Sequence, residues 1–361
     1  MGSARGGWAR SLPKTGVAHA NRRLILSQVK TGFPPSDLPF GRPSPERMPG
    51  DDDGPSAEAI LRAHKRIQVR HFAGPVQYTE HLTHLRVAHL TDLHVGRVTP
   101  WAIQLAAVDL TNQAKPDLVL LTGDFVCHSQ AYLDRLEHLI TRFEAPVMAV
   151  LGNHDYWSGA DEVRLALRRG GAEILDNRHT LIGLRHQMIQ VVGLDDAYTG
   201  HAKRDEALKG LRQDIPSIAM SHIGEEADGL WHGGVPLVLS GHTHAGQITL
   251  ARLHELALGK LAGHRYVHGL YGSRMNRNNH PGAVYVGAGI GASVMPFRLG
   301  ERGQREIAIF ELGYEPGMID EHHVEQDPLP GRPPSARVMA KRAAAVIAKR
   351  ERRERKLGGK K

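Results

Sequence analysis

Apolar residues fall along this chain in short blocks, and the blocks alternate between two periods. Leu85–Leu90 reads as a strand. Thr99-Pro100 then opens a helix through about Gln113, with proline at its favoured first position. Asp117–Leu121 is a short buried strand, and Ser129 caps a helix in which Tyr132, Leu133, Leu136, Leu139, Ile140 and Phe143 recur at helical spacing. Val147–Leu151 is again a strand. Ser158 with Asp161 opens a helix that closes on Arg168-Arg169-Gly170-Gly171, basic residues and then glycine, as helix ends prefer. Beyond this point the pattern turns β-rich, with strand candidates at Leu181–Leu184, Met188–Leu194, Ser217–Met220, Val235–Leu239, Ala283–Val286 and Glu306–Leu312. An early βα alternation followed by many strands predicts a layered α/β fold with more than one sheet.

The flanks lack that pattern. Residues 1–57 are rich in Gly, Pro and Ser and end near Asp51-Asp52-Asp53-Gly54-Pro55, so a disordered N-terminal segment is expected. A short helical candidate spans Ala57–Lys65. The folded domain is expected at residues 58–312, a Pro- and Gly-containing linker at 313–336 and a basic helical tail at 337–361.

Charge changes the picture only at the ends. The formal net charge is +8, but residues 337–361 hold eleven Lys/Arg against two Glu, and residues 1–34 hold six against none. The remainder is mildly acidic at −7, so the basic character belongs to the tails. Cys127 is the only cysteine, which excludes an intrachain disulfide and a cysteine-rich zinc module. No run of 18 or more apolar residues predicts a transmembrane helix. The apolar patch Leu24-Ile25-Leu26 is far too short for a signal peptide. A cytoplasmic protein is expected, with at most a peripheral membrane contact.

The chemistry sits where strands end. Leu85–Leu90 runs into Thr91-Asp92-Leu93-His94, Asp117–Leu121 into Thr122-Gly123-Asp124, and Val147–Leu151 into Gly152-Asn153-His154-Asp155. Ser217–Met220 runs into Ser221-His222, and Val235–Leu239 into Ser240-Gly241-His242-Thr243-His244. In open α/β sheets ligands bind at the carboxyl ends of strands, so neighbouring strands would bring these residues together. Asp92 and His94 stand at i, i+2, as do His242 and His244; in an extended segment such residues point the same way. Asp, Asn and His without thiolate form a hard-to-borderline donor set that suits Mn²⁺, Fe or Zn²⁺ at a reactive site better than a structural zinc cage. Asp155 reads equally as an orienter of the histidines or as a turn carboxylate, and Asp195-Asp196 as turn chemistry.

In this order, Asp92-x-His94, Gly123-Asp124, Gly152-Asn153-His154-Asp155, His222 and Gly241-His242-Thr243-His244 resemble the calcineurin-like metallophosphoesterase superfamily over roughly residues 80–312. Tyr266-Val-His-Gly-Leu-Tyr271 and Gly287-Ala-Gly-Ile-Gly-Ala292 through Pro296-Phe-Arg298 are similar to a bacterial branch with phosphodiesterases and a UDP-2,3-diacylglucosamine pyrophosphatase. The resemblance implies a four-layer α/β/β/α metallophosphoesterase sandwich with two divalent metal ions, identity open among Mn, Fe and Zn. It implies Asp92, His94 and His244 on the first ion, Asn153, His222 and His242 on the second, Asp124 between them, and His154 facing the phosphate as the catalytic residue.

Two divalent ions carry about +4; Asp92, Asp124 and one hydroxide remove about three units, leaving about +1 for a phosphate. The expected reaction is hydrolysis of a phosphodiester or pyrophosphate bond by a metal-bound hydroxide, on a lipid-linked or nucleotide-sugar substrate. A cyclic-nucleotide phosphodiesterase and a non-catalytic scaffold on the same fold are the alternatives. Residues 337–361 read either as a solvated, partly helical tail or as a dock for an anionic membrane, at about 1 kcal/mol per Lys/Arg near the surface. Nucleic acid is not expected, because aromatic residues do not interleave the basic ones.

Overall fold

Val119 and Leu121 point to one side of their strand, Leu118 and Leu120 to the other, and all four are buried. A strand apolar on both faces needs a layer above and a layer below, and the computed structural model supplies both. It describes residues 54–127, 129–246, 263–276, 281–292, 298, 303–331 and 334–358. Most of the expected disordered segment, residues 1–53, lies outside the described residues, as do Pro296 and Phe297.

One six-stranded sheet is built from β1 (Ile67–Ala73), β2 (Leu85–Leu90), β3 (Leu118–Thr122), β4 (Val147–Val150), β5 (Ala172–Ile174) and β12 (Arg305–Leu312), in the order β1-β12-β2-β3-β4-β5. A second sheet holds β6 (Arg178–Leu184), β7 (Gln187–Leu194), β8 (Ser217–Ser221), β9 (Leu237–Ser240), β10 (Gly269–Gly272) and β11 (Ala283–Val286), in the order β10-β11-β9-β8-β7-β6. Leu120, Val87, Met220, Leu239 and Tyr285 meet in the core between the sheets. Outside the first sheet, α2 (Trp101–Gln113), α3 (Leu133–Thr141) and α5 (Ala160–Arg169) bury Ile103, Leu136 and Val163. Outside the second, α6 (Arg204–Leu208) and α7 (Ala227–His232) bury Ala207, Leu230 and Trp231. The layers therefore run α/β/β/α.

Parallel pairing lines up the ends that matter. β2, β3 and β4 are mutually parallel, with Leu90 beside Leu121 and Thr122 beside Val150. In the other sheet β8 and β9 are parallel, with Met220 beside Leu239. The chain therefore leaves five strands at one end of the sandwich.

The apolar pattern does not mark β1, β5 or β10. β1 carries Gln68, Arg70 and His71 among its apolar residues, β5 is only three residues long, and β10 begins and ends on glycine. Ser158 ends the short helix α4 (Asn153–Ser158) rather than capping the next one, and Gly159 at φ 116° makes the break before α5. Ser129 caps a 3-10 turn, Gln130–Tyr132, that leads into α3. Residues 321–325 pack back on the domain, with Glu321 and Glu325 paired to buried Arg274. The basic tail forms a helix, α8 (Ala336–Gly358), which contacts α4. Among the described residues no helix is long and apolar enough to cross a membrane.

Candidate metal centre

The turns that follow β2, β3 and β9 leave ordinary backbone space. Asp92, His94, Asp124, His242 and His244 all have φ between 44° and 73°. Side chains other than glycine rarely adopt that left-handed region, at about 1–3 kcal/mol each, and such residues cluster at functional sites. On a left-handed backbone strand alternation sets no direction: Asp92 and His94 fall in one ligand group, whereas His242 and His244 fall in different ones. Gly123, at φ 87°, brings β3 so close to the α4 turn that a Cβ would lie 2.6 Å from the Gly152 nitrogen.

These turns gather two groups of potential ligands that share one residue. The ligand atoms of Asp92, His94, Asp124 and His244 lie within 4.8 Å of one another, and so do those of Asp124, His222 and His242. Asp124 belongs to both. Asn153, 2% exposed, opens α4 beside them. His154 follows: its N–H donates to Asp124 Oδ1 at 2.8 Å, its Nε2 stands 3.9 Å from Asp124 Oδ2, and its ring meets His94 edge-on at 4.8 Å. The first group comes from the first sheet apart from His244; His222 and His242 come from the second.

The donors are aimed for a cation. Asp92 Oδ2 accepts from Thr91 Oγ1 at 2.8 Å and from the His242 N–H at 3.1 Å, while buried Asp92 Oδ1 accepts no hydrogen bond. Asn153 Oδ1 is likewise buried without a donor. His222 Nδ1–H donates to the Thr122 carbonyl at 2.7 Å, which leaves Nε2, 3.4 Å from Asp124 Oδ2, as the lone pair facing the cluster. His94 and His244 bring their Nε2 atoms to 3.0 Å, closer than two unprotonated nitrogens rest without a proton or cation between them. Orphaned carboxylate and amide oxygens beside imidazole nitrogens fit a pair of divalent cations.

Burial lowers the imidazoles of His94 and His244 to about 3, so both stay neutral ligands. Burial also lowers His222, but Asp124 and Asp92 outweigh it and push it up to about 10. A proton on His222 and a metal ion compete for the same lone pair, so metal binding would release that proton. Asp155 resolves as a turn carboxylate: it accepts from the N–H groups of Gly152 (2.9 Å), Phe125 (2.8 Å) and Val126 (3.3 Å), tying the α4 turn to the Asp124 turn. Asp196 does the same for the next loop, accepting from the N–H groups of Tyr198 and Thr199.

The mouth is made of residues that no motif marks. Trp157 leans on His154 at 4.7 Å, Tyr198 on His242 at 5.1 Å, and the two rings meet edge-on at 6.0 Å. His264, held to Glu225 at 3.1 Å, lies 5.5 Å from His242. Behind His244, Arg298 donates to the carbonyls of Ala288 and Gly291 and stands 3.5 Å from His244 Nδ1. Trp157 stands three residues after His154 on the same short helix, α4, and could have been reached from that motif; Tyr198 and His264 carry no such signal.

A third group, His268, Glu306 and His323, is a salt-bridge network instead. Arg70 Nε pairs with Glu306 at 2.7 Å and Arg70 Nη1 meets His323 at 2.6 Å. Tyr285, Ala288 N–H and His268 take up the remaining Glu306 positions. Through Ala288 this network braces the loop whose Gly291 N–H donates to the Asp92 carbonyl at 2.7 Å.

Residues 85–246 match the family model for calcineurin-like phosphoesterases. The chain is 30% identical over 237 residues to phosphodiesterase YaeI of Escherichia coli, covering 63% of this chain and 82% of that one. It is 26% identical over 218 residues to the UDP-2,3-diacylglucosamine pyrophosphatase LpxG of Chlamydia trachomatis, covering 47% and 66%. A dimetal phosphatase structure from Danio rerio superposes with a TM-score of 0.41 at 10% identity, over 62% of this chain and 98% of that one.

Proposed function

Because the chain belongs to the calcineurin-like phosphoesterase family, we propose that it hydrolyses a phosphodiester or pyrophosphate bond with two divalent cations. In this reading Asp92, His94 and His244 hold one cation, Asn153, His222 and His242 the other, and Asp124 lies between. The observation that carries it is the membership of Asp124 in both ligand groups. When bound, such ions supply hydroxide at neutral pH and offset phosphoryl charge.

The chain's own residues do the rest. Thr91 and the His242 N–H fix the Asp92 carboxylate so that one oxygen faces the site. The Thr122 carbonyl sets the His222 tautomer. His154 stands at the open side, its side chain 13% exposed, between Asp124 and the Trp157 ring. From there its Nε2 reaches a phosphoryl or leaving oxygen and protonates it, an effect typically worth about 10²–10⁴-fold. The relative that acts on UDP-2,3-diacylglucosamine supports a nucleotide-linked diphosphate as the substrate class.

The test is turnover of bis-p-nitrophenyl phosphate by the Mn²⁺-loaded protein, beside Asp124→Asn and His154→Ala. Loss of turnover in both variants, with far-UV circular dichroism unchanged, is expected. An unchanged rate in both overturns the reading. A panel of a nucleotide sugar, a lipid-linked diphosphate and cyclic AMP then ranks the substrates.

A further inference from the structure

Helix α8 lies across the mouth of the metal centre on two rings. Arg342 places its guanidinium carbon 3.8 Å from the Tyr198 ring centroid, and Lys349 its ammonium 3.6 Å from that of Trp157. Tyr198 rests on His242 and Trp157 on His154, so each cation stands one ring away from the cluster. Seven residues separate them, two helical turns or about 10 Å, so one face of the helix reaches both rings. Met339, Arg342, Ala343 and Val346 make its half-buried face, and their three-four spacing is that of a seated helix.

Among the described residues the two cations lack counter-charges. Arg350 pairs with Glu354 and Arg355 with Glu351, both within the helix. Among the described residues Arg342 and Lys349 pair with no carboxylate; an aromatic face is their partner. A cation over a ring is weakly held next to one paired with an anion through charge-assisted hydrogen bonds. Desolvation on the ring lowers the Lys349 ammonium from its ordinary value, so an incoming anion would restore what the ring cannot. A phosphodiester or diphosphate has two arms, and Trp157 and Tyr198 are the rings beside His154 and His242, where such a ligand would lie.

We propose that Arg342 and Lys349 form a specificity subsite that binds a second anionic group of the substrate, beyond the scissile phosphate, and so favour a multiply charged ligand such as a nucleoside diphosphate conjugate over a simple phosphodiester. This rests on the metal-dependent hydrolase reading. The helix is then part of the substrate wall, and its basic face is selected for the ligand's charge.

The experiment measures binding directly. The Mn²⁺-loaded full chain is titrated calorimetrically with UDP-glucose, as wild type, Arg342→Ala/Lys349→Ala, the charge-retaining Arg342→Lys/Lys349→Arg, and the outward-facing Arg355→Ala. The alanine pair is expected to weaken binding roughly 10- to 100-fold, with the charge-retaining pair and Arg355→Ala within about threefold of wild type. KM for UDP-glucose should rise with Kd while the alanine pair's selectivity over bis-p-nitrophenyl phosphate falls. Equal binding by all four proteins, loss in the charge-retaining pair as large as in the alanine pair, or no binding by wild type overturns the subsite. Faster bis-p-nitrophenyl phosphate turnover in the alanine pair also overturns it, since that marks the helix as a cover. Failure of the hydrolase reading is separate: wild type then turns over no phosphoester, whatever it binds.

Discussion

Gly152→Ala adds a single methyl group directly against Asp124. The Gly152 backbone, at φ −112° and ψ 176°, suits any residue, so the effect is purely steric. An ideal Cβ there would lie 2.3 Å from Asp124 Oδ1, 2.6 Å from the Asp124 nitrogen and 2.9 Å from His222 Nε2. Restoring an ordinary contact of about 3.4 Å moves the Asp124 carboxylate by about 1 Å. Metal–ligand distances tolerate about 0.2 Å, so Asp124 can no longer serve both ligand groups. Overpacking of this kind costs about 1–3 kcal/mol, or about 3–10 °C in Tm for a domain of this size. A misplacement of about 1 Å costs about 100-fold in rate. The assays are metal content after dialysis, differential scanning fluorimetry with and without Mn²⁺, and bis-p-nitrophenyl phosphate turnover. Gly54→Ala, where a Cβ meets nothing within 4 Å, is the control. The added stability from metal should shrink in Gly152→Ala, because stabilisation by a ligand scales with the logarithm of its concentration over Kd. Gly152→Ala protein that keeps two ions per chain and the wild-type rate would falsify this account of how Asp124 is held.

Three further outcomes are expected. His242→Ala and His244→Ala should each lower bound metal from about two ions to about one, in different positions of the pair; loss of both ions in either variant refutes the division. Burial alone would raise the Glu306 carboxyl, but His268, Arg70 and the Ala288 N–H outweigh it and hold it well below its ordinary range. Its stabilising contribution is therefore complete above the unfolded pKa of about 4.3 and fades as pH falls. The gap in unfolding free energy from urea melts between wild type and Glu306→Gln, about 3–5 kcal/mol near neutrality, should narrow toward pH 3; a constant gap refutes the network. The outward face of α8 carries Arg337, Lys341, Arg352 and Arg355, and we expect phosphatidylserine vesicles to sediment the full chain but not a form lacking residues 337–361, with salt releasing it.

Much of this molecule is legible before folding. Buried parallel strands must be apolar on both faces, so β2, β3, β4, β8 and β9 announce themselves as short apolar blocks, and the polar residue after each block is where a ligand can sit. What is not legible follows from the same logic. β1 is held mostly by pairing with β12 rather than by an apolar signature. Tyr198 and Trp157 become wall residues only because the loop after β7 meets helix α4. The division of His242 and His244 between ligand groups depends on how the turn after β9 packs against those after β2 and β3, which composition does not announce. The placement of α8 depends on cation–ring contacts between segments some 150 to 190 residues apart.

The strand order of the first sheet carries a consequence for how the protein comes into being. β12 lies between β1 and β2, parallel to one and antiparallel to the other. All seven proposed ligands have been synthesised by residue 244, yet the sheet that aims the first of them stays split until Arg305–Leu312 arrives. A nascent chain in that interval holds a complete ligand set on an unfinished frame, with the ladder edges of both β1 and β2 open to other chains. Metal loading and protection from aggregation are therefore timed by the same late strand. Truncation just before Arg305 would spare every ligand and still be expected to yield insoluble, metal-poor protein.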